Sequence, residues 1–474
     1  MKNPIALLGL LVACAVVAGA LLWGFSQRAL YERKARAGRA PAPEDPAGSE
    51  AALINELKED LTQMAVRNRE LEQANADLER RLAELEAAEE FTPEAIASGV
   101  AAIRGLAFQR ETTFRETAVR AVENLIGEGL LDLYGEGDLE KMERALTTMG
   151  FLFDDQAVGI REALVGLETN QRVAVYNEED AEILYRDDLD LRSPTDRGKL
   201  VHEIARVLAE QNFGVPPREL VSTDGDRAQA AIALEVGDAT QVKLRYSLGD
   251  DVGGAPPPSP ESQERFYGAP VFLREQVLFP YFHGAKFVAA LQQSGGWEAV
   301  DAAYRRPPTS STEVLHPDLY LAAPPFAPET PRFEDGPDVV WEDTAGEFAI
   351  SALLGMHLDP SVAKDASEGW AGDRYRVLEG DGTVPGTEPS AWKTRWRTPE
   401  DATEFFQAIR QSLLRRYRIN FEDETAPPPH FSQDDPARSL RVRVSDDGLG
   451  VLVVSAPDAA VADGLASTAA GNRQ

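Results

Sequence analysis

The sequence predicts a helix-dominated α+β protein preceded by a transmembrane helix and a parallel coiled coil. Three observations lead there. Long stretches repeat apolar residues at helical spacing, short stretches alternate apolar and polar residues, and both lie behind an apolar run and a heptad seam.

The N-terminal elements come first. Ile5 to Phe25 carries no charge. As a helix rising about 1.5 Å per residue it spans roughly 31 Å, enough for a bilayer core. Residues 1–27 are therefore expected to form an uncleaved membrane anchor, because Leu21, Leu22, Trp23 and Phe25 carry the apolar run to its end. A rival reading is a lipoprotein modified at Cys14, in the lipobox-like Leu11-Val12-Ala13-Cys14; an ordinary signal peptide is a third. Arg28, Arg33, Lys34, Arg36 and Arg39 follow the run, so the positive-inside rule read literally keeps the bulk of the chain in the cytoplasm. The single short basic tail before it is typical of exported proteins and places the domain outside, in the periplasm. Residues 28–49 form a basic, then Pro/Ala-rich linker.

Residues 50–90 read as a coiled coil. Ile54, Leu61, Asn68, Asn75 and Leu82 take the a positions, and Leu57, Met64, Leu71, Leu78 and Leu85 take d. Asparagine at a pairs best across a parallel two-stranded seam, so Asn68, Asn75, Leu71 and Leu78 are expected to dimerise the chain. The plainer reading of the same stripe is one amphipathic helix packed on the globular region.

Residues 91–170 read as mostly helical, interrupted at Gly127, Gly135 and Gly150. Gln171–Tyr176 and Glu182–Tyr185 alternate around Asn177–Asp180, a β-pair. Ser193-Pro194-Thr195-Asp196 caps the helix that carries His202, and a second helix runs from about Asp226 to Leu248. Further helices are expected at 271–294, 344–358 and 400–417. Strands are expected at 374–379, 392–396, 440–444 and 451–455, with the last pair forming a hairpin in a C-terminal segment, 421–474.

Composition limits the chemistry. A net charge of −31 argues against nucleic acid and anionic lipid as partners of a broad basic patch. The only cysteine is Cys14, so the remainder has no disulfide or thiolate chemistry, and a metal site would rest on five histidines and carboxylates. No phosphate loop or dinucleotide fingerprint occurs. The stretch KLVHEIARVLAEQNFG, residues 199–214, stands out. In HExxH two histidines one helical turn apart bind zinc, and the glutamate acts as general base. Here His202 and Glu203 are followed by Arg206, whose protonated guanidinium offers no lone pair. A dication about 4 Å from a unit positive charge, at an effective dielectric near 20, meets repulsion of roughly 8 kcal/mol.

Several separated strings resemble a bacterial family of zincin-like metallopeptidases with the helix pattern HExTHALQDQ: QRVAVYNEEDAEILY (171–185), KLVHEIARVLAEQNF (199–213), ALEVGDAT (233–240), FPYFHGAKFVAAL (279–291), GGWEAVDAAYRRPPTSSTEVLHP (295–317) and GWAGDRY (369–375). The resemblance implies a zincin-like domain over 171–420, with His202 as first ligand and Glu203 as a vestigial general base. It implies that the second and third ligand positions are the degenerate Arg206 and Val236, Glu235 being one helical step away. His283 is a possible substitute ligand, set against the plainer reading of a helix-face histidine; His316 reads as a structural turn. The expected function is a membrane-anchored, catalytically inactive metallopeptidase-like protein that acts as a scaffold or binds a peptide or protein partner, with no cofactor. The alternative is an active zinc peptidase using His202, Glu235 and His283. A third reading is a structural envelope protein whose coiled coil carries the function.

Overall fold

The computed structural model describes residues 62–78, 91–134, 137–153, 158–214, 220–248, 260–334, 338–380, 386–419, 430–434 and 438–470. The chain divides into two compact units: Met1–Ala95 with Leu191–Pro194 and Ser247–Gly254, and Ile96–Asp190 with Thr195–Tyr246 and Ala255–Gln474.

In the first unit, residues 62–78 are helical, with Met64 and Leu71 exposed, as are Asn68 and Asn75, and Leu78 half-buried. This corrects the expected architecture in two respects. The expected coiled-coil dimer finds no support, and in the single chain the stripe of Met64, Asn68, Leu71 and Asn75 is open. The membrane-anchored, periplasmic reading is likewise without support: among the described residues no helix is long and apolar enough to cross a membrane. The run Ile5–Phe25, including Cys14, lies outside the described residues.

The second unit begins with the end of α1 (Pro93–Arg104), then β1 (Thr113–Thr117), α2 (Val119–Leu131), α3 (Asp138–Met149) and α4 (Ile160–Gln171). β2 (Ala174–Asn177) and β3 (Glu182–Arg186) form the expected hairpin, with Ala174 opposite Tyr185. The polar strand β1 adds parallel to β3, giving the order β1-β3-β2 and leaving β2 at an edge. Then follow α5 (Pro194–Phe213), α6 (Gly225–Tyr246), α7 (Pro260–Gly268), α8 (Val271–Phe279), a π-helical turn at Pro280–Gly284, and α9 (Ala285–Arg305). α9 is broken where Gly295 and Gly296 leave helical geometry; Gly296 has φ 66°.

The C-terminal half builds an antiparallel sheet. β4 (Val339–Asp343), α10 (Gly346–Gly355), α11 (Pro360–Ser367), β5 (Trp370–Leu378), β6 (Ser390–Trp396), α12 (Pro399–Arg416), β7 (His430–Asp434), β8 (Ser439–Val444), β9 (Gly450–Ala456) and α13 (Ala459–Ala470) give the strand order β4-β5-β6-β9-β8-β7. The C-terminal hairpin β8–β9 thus continues the sheet, with Trp392 opposite Val453. Alternation along β9 serves two cores: Val453 faces the large core with Phe405, Phe406 and Ile409 of α12, while Val454 packs with Ala462 of α13. α12 starts with a capping box, in which Thr398 Oγ1 accepts from the Asp401 amide at 3.1 Å and the Asp401 carboxylate accepts from the Thr398 amide at 3.0 Å.

α6 is the axis of the helical half. Ala230, Ala233 and Leu234 pack on Phe279, Phe287, Val288 and Leu291. Small residues let the backbones close up: a methyl group built on Gly237 would collide with the Gly284 carbonyl, and one on Gly284 with the Ala233 carbonyl. The ALEVGDAT and FPYFHGAKF strings meet at this contact. The N-terminus of α6 is held from the sheet, because Asp343 at the end of β4 accepts from the Gly225 amide at 2.7 Å and the Thr344 amide at 2.8 Å. Asp226 accepts the Ser311 amide at 3.1 Å.

Gly237→Ala is expected to cost about 1–3 kcal/mol through overpacking, read as a lower denaturant midpoint; an unchanged midpoint would mean that the crossing yields. Asp343 is buried, and desolvation raises its pKa from 3.8 to about 7 against the two amide bonds. A carboxyl whose folded pKa is raised contributes stability below its unfolded pKa, and that contribution is lost as pH rises through about 7. The melting temperature should therefore fall across that range. Asp343→Asn should flatten the fall, and an unaltered slope in this variant would refute the assignment.

Candidate functional site

His202, Glu203 and Arg206 lie on α5, and His202 and Glu203 are buried. Glu235 comes from α6. Arg206 Nε donates to Glu235 Oε1 at 2.8 Å, and its Nη1 stands 3.6 Å from Glu203 Oε2. Arg172, just after α4, approaches Glu203 Oε2 at 3.7 Å. Burial opposes the Arg206 charge, but Glu235 and Glu203 outweigh it and hold the guanidinium pKa above its ordinary value. Burial raises the pKa of Glu168 on α4, with Arg172 and Arg206 acting against it. Glu210, one turn beyond Arg206, is raised by burial and then by Glu235. Arg172, Glu203, Arg206, Glu210 and Glu235 thus line a small open pocket beside Ala174, Val175 and Tyr176 of the edge strand β2.

His202 is the unusual member. Its ring stacks on Tyr281 with centroids 5.4 Å apart and hydrogen-bonds the Val236 backbone. Its Nε2 is buried without a hydrogen-bond partner, so the bond to Val236 is made by Nδ1. Desolvation, then Arg206 and Lys243, drives its pKa well below 6.5, leaving a neutral imidazole with an unshared lone pair.

The structure thus brings His202, Glu203, Arg206 and Glu235 together. Val236 instead turns into the core and meets His202 only through its backbone. Glu235 therefore faces α5. His283 is not part of the cluster: it stacks on Phe279 at 5.0 Å, and burial followed by Lys286 lowers its pKa. Among the described residues no group of three His, Cys, Asp or Glu side chains could hold a metal ion. This overturns the zinc-peptidase alternative built on His202, Glu235 and His283. The donor set does not fit a zinc ion, because a fixed cation sits between the two carboxylates that would have served it.

Sequence reasoning missed Glu168, Arg172, Glu210 and Tyr281. The spacing was available: Glu168 and Arg172 are four apart, as are Arg206 and Glu210, so each pair shares a helix face or its continuation. It also missed a second charged knot on the next turn of α6. Asp238 accepts from Arg104 Nε at 3.0 Å and from the Tyr304 hydroxyl at 3.0 Å, while Arg104 Nη2 reaches Asp301 at 2.6 Å. Trp297 lies 4.4 Å from the Arg104 guanidinium, and Phe213 stacks on Tyr304 at 4.4 Å. The GGWEAVDAAY string is spent on this knot. Likewise GWAGDRY supplies Asp373, which accepts from the Ala345 and Gly346 amides and from the indoles of Trp370 and Trp392. In the VLHP string, His316 Nε2 meets Glu347 Oε1 at 2.7 Å.

A family model described as a domain of unknown function, DUF8575, matches residues 336–466. That stretch covers β4 to most of α13 and none of α5 or α6. No curated protein and no solved structure matches the chain.

Arg104→Ala should destabilise by about 3–5 kcal/mol, because it leaves buried Asp238 without its cation. The added replacement Asp238→Asn should recover part of that loss in a double-mutant cycle; strict additivity would show that the two residues are not coupled.

Proposed function

We propose that α5 and α6 form a degenerate zincin-like helix pair in which a guanidinium stands in place of a metal ion, and that the chain does not hydrolyse peptides. The observation that carries this reading is the Arg206–Glu235 pair at 2.8 Å beside the unpartnered Nε2 of His202. A hydrolytic zinc site needs a cation that binds water and polarises a carbonyl. Arg206 supplies the charge and neither of those functions, since its nitrogens are donors only. Glu203 faces Arg206 and Arg172 at 3.6 and 3.7 Å, so its carboxylate serves as an ion-pair partner. The work of the cluster is mechanical: it neutralises charge between α4, α5 and α6 and fixes them to one another.

The resemblance strings support the same reading, and the geometry refines its test. Because Glu235 and not Val236 faces α5, a single replacement should be enough to assemble three ligands. Arg206→His is expected to take up close to one zinc per chain, measured by elemental analysis after dialysis, while the unaltered protein takes up little. Absence of zinc from a folded Arg206→His variant would sink the zincin-like reading. Stoichiometric zinc and chelator-sensitive peptide hydrolysis in the unaltered protein would sink the non-hydrolytic one.

A further inference from the structure

The outer face of the six-stranded sheet is basic, in a chain whose net charge is −31. Register places Arg374 and Arg376 of β5, Lys393 and Arg395 of β6, and Arg441 and Arg443 of β8 on one face, while Trp392 and Val453 enter the large core on the other. At the β8–β9 end α13 covers this face: Ala462 packs with Ala391 and Val454, and Arg441 pairs with Asp463. At the β5–β6 end the cover is residues 326–334, a strap with neither helix nor strand. The Glu329 amide donates to the Ala371 carbonyl at 2.7 Å, Lys393 Nζ to the Arg332 carbonyl at 2.8 Å, and Arg376 Nη1 to the Glu334 carbonyl at 2.7 Å. The Phe333 ring centre lies 4.8 Å from the Arg376 guanidinium carbon and 4.7 Å from Lys393 Nζ, and the ring packs on the cluster of Ala391, Val454 and Ala462. The sheet is shaped to admit the strap's backbone, because a methyl group built on Gly372 would collide with the Glu329 carbonyl.

We propose that the strap fills, in cis, a docking groove that takes an acidic, aromatic-bearing peptide segment of a partner protein when the strap lifts. Charge complementarity and the strap's own chemistry define the partner. The groove offers side-chain donors to any peptide carbonyl, an apolar floor, and cations on both sides of a ring position. The strap answers with Phe333 followed by Glu334, and with Glu329 at 3.7 Å from Arg395. Among the described residues Lys393 is met by a carbonyl and pairs with no carboxylate, so a partner with an acid at that point gains an interaction that the strap lacks. Lifting is local: Phe326, Pro328, Pro331 and Phe333 are half-buried and every other strap residue is exposed, so the strap has little to lose and the sheet stays folded. The groove lies in the DUF8575-matched stretch, the strap precedes that stretch, and both are separate from the α5–α6 cluster.

The test is fluorescence anisotropy on the full chain with a labelled peptide of the strap's sequence, ETPRFED, residues 329–335. Phe333→Ala, which removes the ring that pins the strap, should bind this peptide with sub-millimolar affinity. The unaltered chain should bind it at least about tenfold more weakly, because its tethered strap competes at an effective concentration on the order of millimolar. Replacing the peptide's Phe by Ala, or adding Lys393→Met to the variant, should each weaken binding by about tenfold. Hydrogen exchange on the unaltered chain decides the matter should Phe333→Ala fail to fold: the Glu329 amide should exchange at least about a hundredfold faster than the amides of β6. No binding to the folded variant, equal binding to the variant and the unaltered chain, equal binding of the two peptides, or exchange at Glu329 as slow as in β6 would each overturn the proposal.

Discussion

Burial of charge along α6 is the constraint on which the rest of the structure depends. Glu235, half-buried, and Asp238, buried, both project from the middle of that helix, and each carboxylate is met by a cation. Arg206 meets the first and Arg104 the second, at 2.8 and 3.0 Å. Those two arginines come from α5 and α1, so satisfying one helix fixes the positions of two others. The glycine contact at Gly237 and Gly284 acts at the same level of the helix. By bringing backbones together it dries the surroundings, which strengthens each ion pair and raises the penalty for losing one partner.

Seen this way, the cluster on α5 owes its form to packing as much as to chemistry. A zinc ion at that position would bind Glu235 directly and reach Glu203 only through an exchangeable water. Arg206 binds them with a planar, permanently charged group that fills the space. His202 records the difference, because its ring is oriented by the Val236 backbone and Tyr281 while Nε2 meets nothing. An imidazole whose tautomer is fixed by a backbone hydrogen bond at one nitrogen, with the other left open, is also the arrangement metal sites use.

Much of the fold was legible in the sequence because its signals are local. The helices at 194–213 and 225–246, the β2–β3 hairpin and the β8–β9 hairpin follow from periodicity and turn residues. β1 and β4 were not legible. β1 reads TFRET, too polar to suggest a strand, and forms only because β3 offers it a parallel edge. β7 sits after a proline-rich run that masked it, and its pairing with β8 is what defines it. At the site, His202, Glu203 and Arg206 were readable from one helix, whereas the choice between Glu235 and Val236 was not. A residue number gives a direction on α6 only once the roll of α6 against α5 is known, and Gly237 and Gly284 set that roll. The long GGWEAVDAAY and VLHP strings, which carry much of the resemblance, each supply a side chain to a buried carboxylate.

The bond from Asp343 to Gly225 joins two parts of the chain with different histories of resemblance. Residues 336–466 match a family on their own, while α6 lies outside that match. Yet the first strand of the matched stretch ends in the carboxylate that closes the first turn of α6, and Asp226 on that turn is tied in turn to Ser311. The matched stretch is therefore not detachable in this protein. Cutting the chain at its boundary would strip the opening amide of α6 of its acceptor and expose one flank of the sheet's core at once.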